Sequence, residues 1–218
     1  MRSDHDLKQD VLSELDWDPS VDGTHIAVTI DGGGVVRLTG HASTYGERHA
    51  AEQAALRVHG VRAVTNELDV RLKPGATWSD ENVAAECMTS LHAHTAVPVS
   101  RIKLIVMNGW VTLEGTVDWQ FQKAAAEKAL RYLHGIRGIT NAITVSPNAS
   151  TLGVKEKIEA ALRRNAQIDA QRITVETRDG RVILRGQVRS WTELRHAQKA
   201  AWAAPGVTAV DNDLVVVS

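Results

Sequence analysis

One motif occurs three times in this chain, in a fixed frame. Val36-Arg37-Leu38-Thr39-Gly40 returns as Val111-Thr112-Leu113-Glu114-Gly115 and again as Val182-Ile183-Leu184-Arg185-Gly186. Twenty residues after each of those glycines stands another: Gly60, Gly135 and Gly206. Six residues further on stands an asparagine: Asn66, Asn141 and Asn212. The later copies are displaced from the first by 75 and 146 residues through the back half of the unit. A repeat of about 70 residues lies near the lower size limit for a self-sufficient core. The 218 residues therefore divide into three small domains, over 1–72, 78–146 and 149–218, rather than one large one.

Each unit opens with apolar residues spaced by four: Leu7, Val11, Leu15; then Val83, Cys87, Leu91; then Val154, Ile158, Leu162. That spacing puts each trio on one face of a helix. Four residues ahead of each trio stands a serine, Ser3, Ser79 or Ser150, whose hydroxyl can accept from the unpaired amides of the first turn. Alternation at period two follows, with Ile26, Val28, Ile30, then Ile102, Leu104, Val106, then Ile173, Val175, Thr177 facing one way. Asp31-Gly32-Gly33-Gly34, Asn108-Gly109 and Asp179-Gly180 supply the positive φ of a tight hairpin, so the repeated motif is the return strand.

Thr44-x-x-Glu47 and Ser190-x-x-Glu193 read as capping boxes, and Trp119-x-x-Gln122 as a weaker version. The helix they open carries an alanine-rich stripe: Ala51, Ala54, Ala55; Ala126, Ala129, Leu130; Ala197, Ala200, Ala201. Gly60, Gly135 and Gly206 are expected just past its end, in the left-handed conformation. A last strand follows, as in Val64, Asn66, Leu68, Val70. The fold class is α+β: three tandem αββαβ domains, each a three-stranded mixed sheet with two helices on one face. Gly40, Gly115 and Gly186, with Gly60, Gly135 and Gly206, are assigned to backbone geometry, because their spacing is not that of a phosphate loop.

The combination of αββαβ order, Val-x-Leu-x-Gly, an alanine-rich helix and then Gly-Val/Ile-x-x-Val/Ile-x-Asn resembles the BON domain. The last element stands here as Gly60-Val61-Arg62-Ala63-Val64-Thr65-Asn66, Gly135-Ile136-Arg137-Gly138-Ile139-Thr140-Asn141 and Gly206-Val207-Thr208-Ala209-Val210-Asp211-Asn212. The resemblance covers nearly the whole chain. It implies association with phospholipid membranes in envelope or osmotic-stress settings, no enzymatic activity and no cofactor. The expected partner is an anionic phospholipid surface or an envelope protein.

Charge and alternation place the candidate surfaces. Residues 1–72 carry 7 Lys/Arg against 12 Asp/Glu, residues 73–147 carry 7 against 6, and residues 148–218 carry 11 against 8. Such asymmetry fits either binding to an anionic surface or attraction between repeats. On the sheet face away from the helices, the third repeat shows Arg172, Thr174, Glu176, Arg178, Arg181, Ile183 and Arg185. Arg178, Arg181, Arg185 and Arg189 are the candidates for lipid phosphates, with Trp191 at the headgroup interface; local acidic partners are the alternative. The second repeat shows Ile105, Met107 and Trp110. That apolar patch is either covered by a neighbouring domain or a second copy of the chain, or free to dock a protein partner. A scaffold acting through it is the alternative function.

The remaining features point away from catalysis. His92 and His94 are the closest histidine pair, and two ligands at that spacing are not a metal site. No nucleophile–base arrangement is legible. Cys87 replaces Val11 and Ile158 in the frame and reads as a small buried hydrophobe. Trp17, Trp119, Trp191 and Trp202 read as packing residues. The balance of charge does not suit nucleic acid. No window of roughly 18 apolar residues predicts a membrane span. As the sequence stands, with no secretory signal, the expectation is a cytoplasmic protein, peripheral to the inner membrane when bound, or periplasmic if the start is misassigned.

Overall fold

The computed structural model describes residues 3–72, 78–146, 153–166 and 168–217. The backbone forms two compact units: Met1–His94, Lys103–Leu113 and Glu127–Ala142 make one, and Thr95–Ile102, Glu114–Ala126 and Ile143–Ser218 the other. Along them the αββαβ order recurs three times. The first repeat contains α1 (Asp4–Trp17), β1 (Ile26–Ile30), β2 (Val35–Ala42), α2 (Tyr45–Arg57) and β3 (Ala63–Val70). The second contains α3 (Asp80–Ala93), β4 (Ile102–Met107), β5 (Trp110–Val117), α4 (Gln120–Leu130), β6 (Gly138–Asn141) and β7 (Thr144–Val145). The third contains α5 (Val154–Arg164), β8 (Ile173–Arg178), β9 (Arg181–Val188), α6 (Trp191–Trp202) and β10 (Ala209–Val216).

The sheets are mixed, with the repeated motif in the central strand. β1 pairs antiparallel and β3 parallel with β2; β8 and β10 flank β9 in the same way. In the first repeat Leu7, Val11 and Leu15 of α1 and Ala51, Ala54 and Ala55 of α2 close one core with Val28, Val36, Leu38 and Leu68 of the sheet. In the third, Ile158 and Leu162, Ala197 and Ala201, and Val175, Val182, Leu184 and Leu214 do the same. Each of the larger side chains contributes about 1.5–3 kcal/mol by its burial. The alanines have no accessible surface, and their lack of bulk lets the helix backbone approach the sheet.

The last strand of the second repeat differs from the other two. It is expected to be continuous, but β6 and β7 are separate pieces, each parallel to β5. The Thr144 hydroxyl donates to the Gly115 carbonyl at 3.1 Å. A side chain thus takes an acceptor on β5 where the ladder is interrupted.

The six aligned glycines serve two geometries. Gly40, Gly115 and Gly186 have φ of 116°, 139° and 132°. A Cβ on any of them would collide with the carbonyl oxygen of His25, Arg101 or Arg172, at the end of the one-turn 3₁₀ segment before each first strand. Gly60, Gly135 and Gly206 also have positive φ, but they do not directly follow the helix cap as expected. The caps of α2 and α6 are Val58 and Ala203, two and three residues earlier. These glycines instead present their carbonyls to the hairpin glycines Gly34, Gly109 and Gly180. The carbonyls of that second set accept from Arg62, Arg137 and Thr208 at 2.7–2.8 Å. The hairpin tip and the entry to the last strand are thereby held together.

Caps follow the expected chemistry with two changes. Ser3 and Ser79 accept from the amides of Asp6 and Asn82. Ser150 lies outside the described residues; Gly153, with φ 68°, precedes α5 and offers no side-chain cap. Thr44 and Ser190 accept from the amides of Glu47 and Glu193. The two glutamates, however, do not return to the cap residue as a capping box would have them.

Candidate functional site

Buried acids are the first place to look for chemistry, and Glu47 and Glu193 are the buried charged residues among those described. Both carboxylates are committed to the backbone. Glu47 accepts from the amides of Asp22 at 2.9 Å and Ser43 at 2.6 Å. Glu193 accepts from Asp169 and Arg189, both at 2.8 Å. The second repeat places Pro98 where the others have Asp22 and Asp169, and proline has no amide to donate. Its glutamate is correspondingly replaced by Gln122, whose single carbonyl oxygen accepts from Asp118 and Trp119. These acids tie two loops together and are not general acids or bases.

The repeated asparagine is structural as well. Asn66 Nδ2 donates to the Arg48 carbonyl at 3.0 Å and to the Glu52 carboxylate at 3.1 Å, while its Oδ1 accepts from the Leu68 amide. Asn141 donates to Glu127 in the same way, and Asn212 accepts from Leu214. A cleft of about 220 Å³ opens beside this latch in the first unit, walled by Tyr45, Arg48, His49, Glu52, Trp110 and Ile139. Its polar groups are turned onto one another: Arg48 donates to the Asn66 carbonyl at 3.3 Å. Burial first, and then the nearby Glu127 charge, raise the Tyr45 phenol above its ordinary pKa. Cys87 has no accessible surface, and burial pushes its thiol up to about 11. It is therefore a packing residue and not a thiolate nucleophile at neutral pH. Among the described residues no group of three or more His, Cys, Asp and Glu side chains is placed to hold a metal ion.

The arginines of the third repeat stand on the sheet face opposite the core, where Arg181 and Arg185 alternate with the buried Val182 and Leu184. Arg178 and Arg181 lie directly across the hairpin from one another. The face carries more acid than expected. Asp211 pairs with Arg181 at 2.8 Å, Glu176 with Arg185 at 2.8 Å, and Asp213 with Arg185 at 3.6 Å. Asp211 and Asp213 flank Asn212 on the last strand, and extending the alternation to that strand would have placed them here. Arg189 lies next to Asp169 and Glu193. Trp191 opens α6 and is partly buried against the core, so it does not join the arginine face. Trp202 packs on the same core, whereas Trp17 is 83% exposed and packs little.

The apolar patch of the second repeat is exposed: Ile105 by 47%, Met107 by 66% and Trp110 by 46%. Trp110 is fixed in place. Its indole lies against Gly138, where a Cβ would collide with the ring, and its Nε1 donates to the Thr140 hydroxyl at 2.8 Å. The first and third repeats carry Ala63 and Ala209 in place of Gly138. The hairpin turn beside it has Asn108 and Gly109 at φ of 52° and 76°, and both amides donate to the Asp80 carboxylate at 2.7 and 2.8 Å.

Comparison with known proteins gives one family. The model of the BON domain matches three times, at residues 3–71, 79–147 and 151–218. Osmotically-inducible protein Y of Escherichia coli (strain K12) is 29% identical over 153 residues, which is 65% of this chain and 75% of that protein. Two solved structures of CdsD, a structural protein of the type III secretion system of Chlamydia trachomatis, are also matched. One is 16% identical, covering 97% of this chain and 92% of that chain at a TM-score of 0.27. The other, of the C-terminal domain, is 15% identical, covering both chains fully at a TM-score of 0.28. At these TM-scores neither bears on what the present chain does.

Proposed function

The chain belongs to the BON domain family, with three copies of the domain, and from that premise we propose that it is a non-catalytic protein of the osmotic or envelope stress response that attaches peripherally to anionic phospholipid. The relative's osmotic induction supports the setting. No described helix is long and apolar enough to cross a membrane.

The observation that carries the lipid reading is the arginine row of the third repeat. Arg178 faces Arg181 across the β8–β9 hairpin, and Arg185 lies further along the same face of β9. Like charges directly opposite one another are unfavourable until an anion joins them. The carboxylates already present are exposed, and such pairs contribute only about 0–1 kcal/mol each, so they yield readily to phosphate. A guanidinium binds a phosphate oxygen pair in two-point geometry. Each cation near an anionic leaflet contributes about 1 kcal/mol, which gives reversible attachment.

The test is co-sedimentation of the full chain with anionic and with zwitterionic liposomes at low and high salt. Binding confined to anionic vesicles and weakened by salt supports the proposal. Changing Arg178, Arg181 and Arg185 together to Glu should then abolish it, with an unchanged circular dichroism spectrum. Absence of binding under every condition would set the lipid function aside.

A further inference from the structure

We infer that the chain self-associates through the edge strand β4, two copies pairing antiparallel about a two-fold axis at Ile105. β4 lies at the end of the strand order of its sheet. An edge strand offers a row of backbone donors and acceptors that only another strand satisfies. β4 has six residues and no proline, so no donor in the row is missing.

The threefold repeat provides its own controls. The same edge in the third repeat, β8, turns Thr174, Glu176 and Arg178 outward, and the shorter β1 turns out Ala27 and Thr29. Neither carries a large exposed hydrophobic side chain. β4 turns out Lys103, Ile105 and Met107, with Trp110 beginning the next strand. Among the seven large hydrophobics exposed in the described residues, Ile105, Met107 and Trp110 form the cluster on one sheet.

The side-chain pattern selects a second copy as the occupant. In antiparallel register about Ile105, Ile105 meets its own counterpart. Lys103 lies opposite the partner's Met107, where its aliphatic stem covers the thioether and its ammonium stays in water. No like charges are opposed. Self-pairing of β8 about Glu176 would set carboxylate against carboxylate. The small or polar outward residues of β1 and β8 likewise make them poor partners for β4. A two-fold contact of this kind closes on itself and does not propagate into a filament. The hairpin pinned by Asp80, and the indole fixed on Gly138 and Thr140, leave little to be ordered on contact.

The experiment is sedimentation equilibrium of the full chain over a wide concentration range, for the wild type, Ile105→Lys and Ile105→Glu. Ile105 is exposed, so neither substitution disturbs the core; circular dichroism checks this. The wild type should show a monomer–dimer equilibrium. Each variant alone should be monomeric, because like charges then meet at the two-fold axis. An equimolar mixture of the two should dimerise again, since the charges become complementary. A monomeric wild type would overturn the inference. So would a dimer that persists in both variants, or one that the mixture fails to restore. Liposome binding, measured in parallel, is expected to survive in the variants. Its loss on Ile105→Lys, with a monomeric wild type, would assign the patch to lipid instead.

Discussion

At the scale of single residues, this chain uses polar groups to hold backbone. Glu47 is the plainest case, since each of its oxygens accepts from a different loop amide. Glu47→Gln would put an amide donor against one of those amides. The variant should lose about 1–3 kcal/mol of stability, the cost of a buried donor left unpaired, measured by urea denaturation. Glu193→Gln should behave alike. Asp18 gives the pH dependence. The Ser20 hydroxyl, then Arg57, hold its carboxyl below the ordinary aspartate value. A carboxyl with a depressed folded pKa stabilises the fold above its unfolded pKa and loses that contribution as pH falls through the folded value. Asp18→Asn should therefore be less stable than wild type at neutral pH, and the difference should vanish in strong acid. Thermal unfolding of both proteins across the acid range measures this.

At the scale of elements, the repeated glycine of the central strand decides whether two elements meet. In the third repeat Gly186 lies against the Arg172 carbonyl. Gly186→Ala adds a side chain both at positive φ and into occupied space. Backbone strain and overpacking together should cost about 2–4 kcal/mol. Ile183→Ala, on the open face of the same strand, is the contrast. It should cost less, because Ile183 is only half-buried. Comparing the two denaturation midpoints tests the assignment. The glutamate-to-glutamine change in the second repeat follows the same logic. Gln122 stands where Pro98 has removed the donor that a second carboxylate oxygen would serve.

At the scale of the whole molecule, the third repeat has a core made entirely of its own residues, from Val154 to Leu214. Residues 149–218 expressed alone should fold, showing dispersed amide resonances and a cooperative melt. A chain that fails to do so would mean that its stability comes from elsewhere in the protein. The three copies also differ in what they turn outward. Carboxylate-paired arginines stand on the third, and an apolar patch on the second. The scaffold is thus constant while its surfaces diverge, as expected when function resides in sites carried by a common fold.

By itself the sequence determined the αββαβ order, the hairpins and the core faces, because periodicity and turn chemistry are local and were read three times over. Val11, Cys87 and Ile158 share one position, and all three are fully buried. Alternation along a strand likewise puts Ile105, Met107 and Trp110 on the sheet face away from the helices, but it does not say whether another part of the chain covers them; their exposure comes from the structure. Only the tertiary structure decided what meets across distance. It brought Asp211 and Asp213 from the last strand beside the arginines, packed Trp191 partly buried against the core, and set Glu47 between two loops. It also placed Gly60 against the hairpin glycine Gly34 and not in the helix cap. Each of these depends on the parallel pairing of the last strand with the motif strand, a contact between residues about 30 positions apart, or on loops packed over it. Periodicity along the chain carries the direction of a side chain but not the identity of the neighbour it meets.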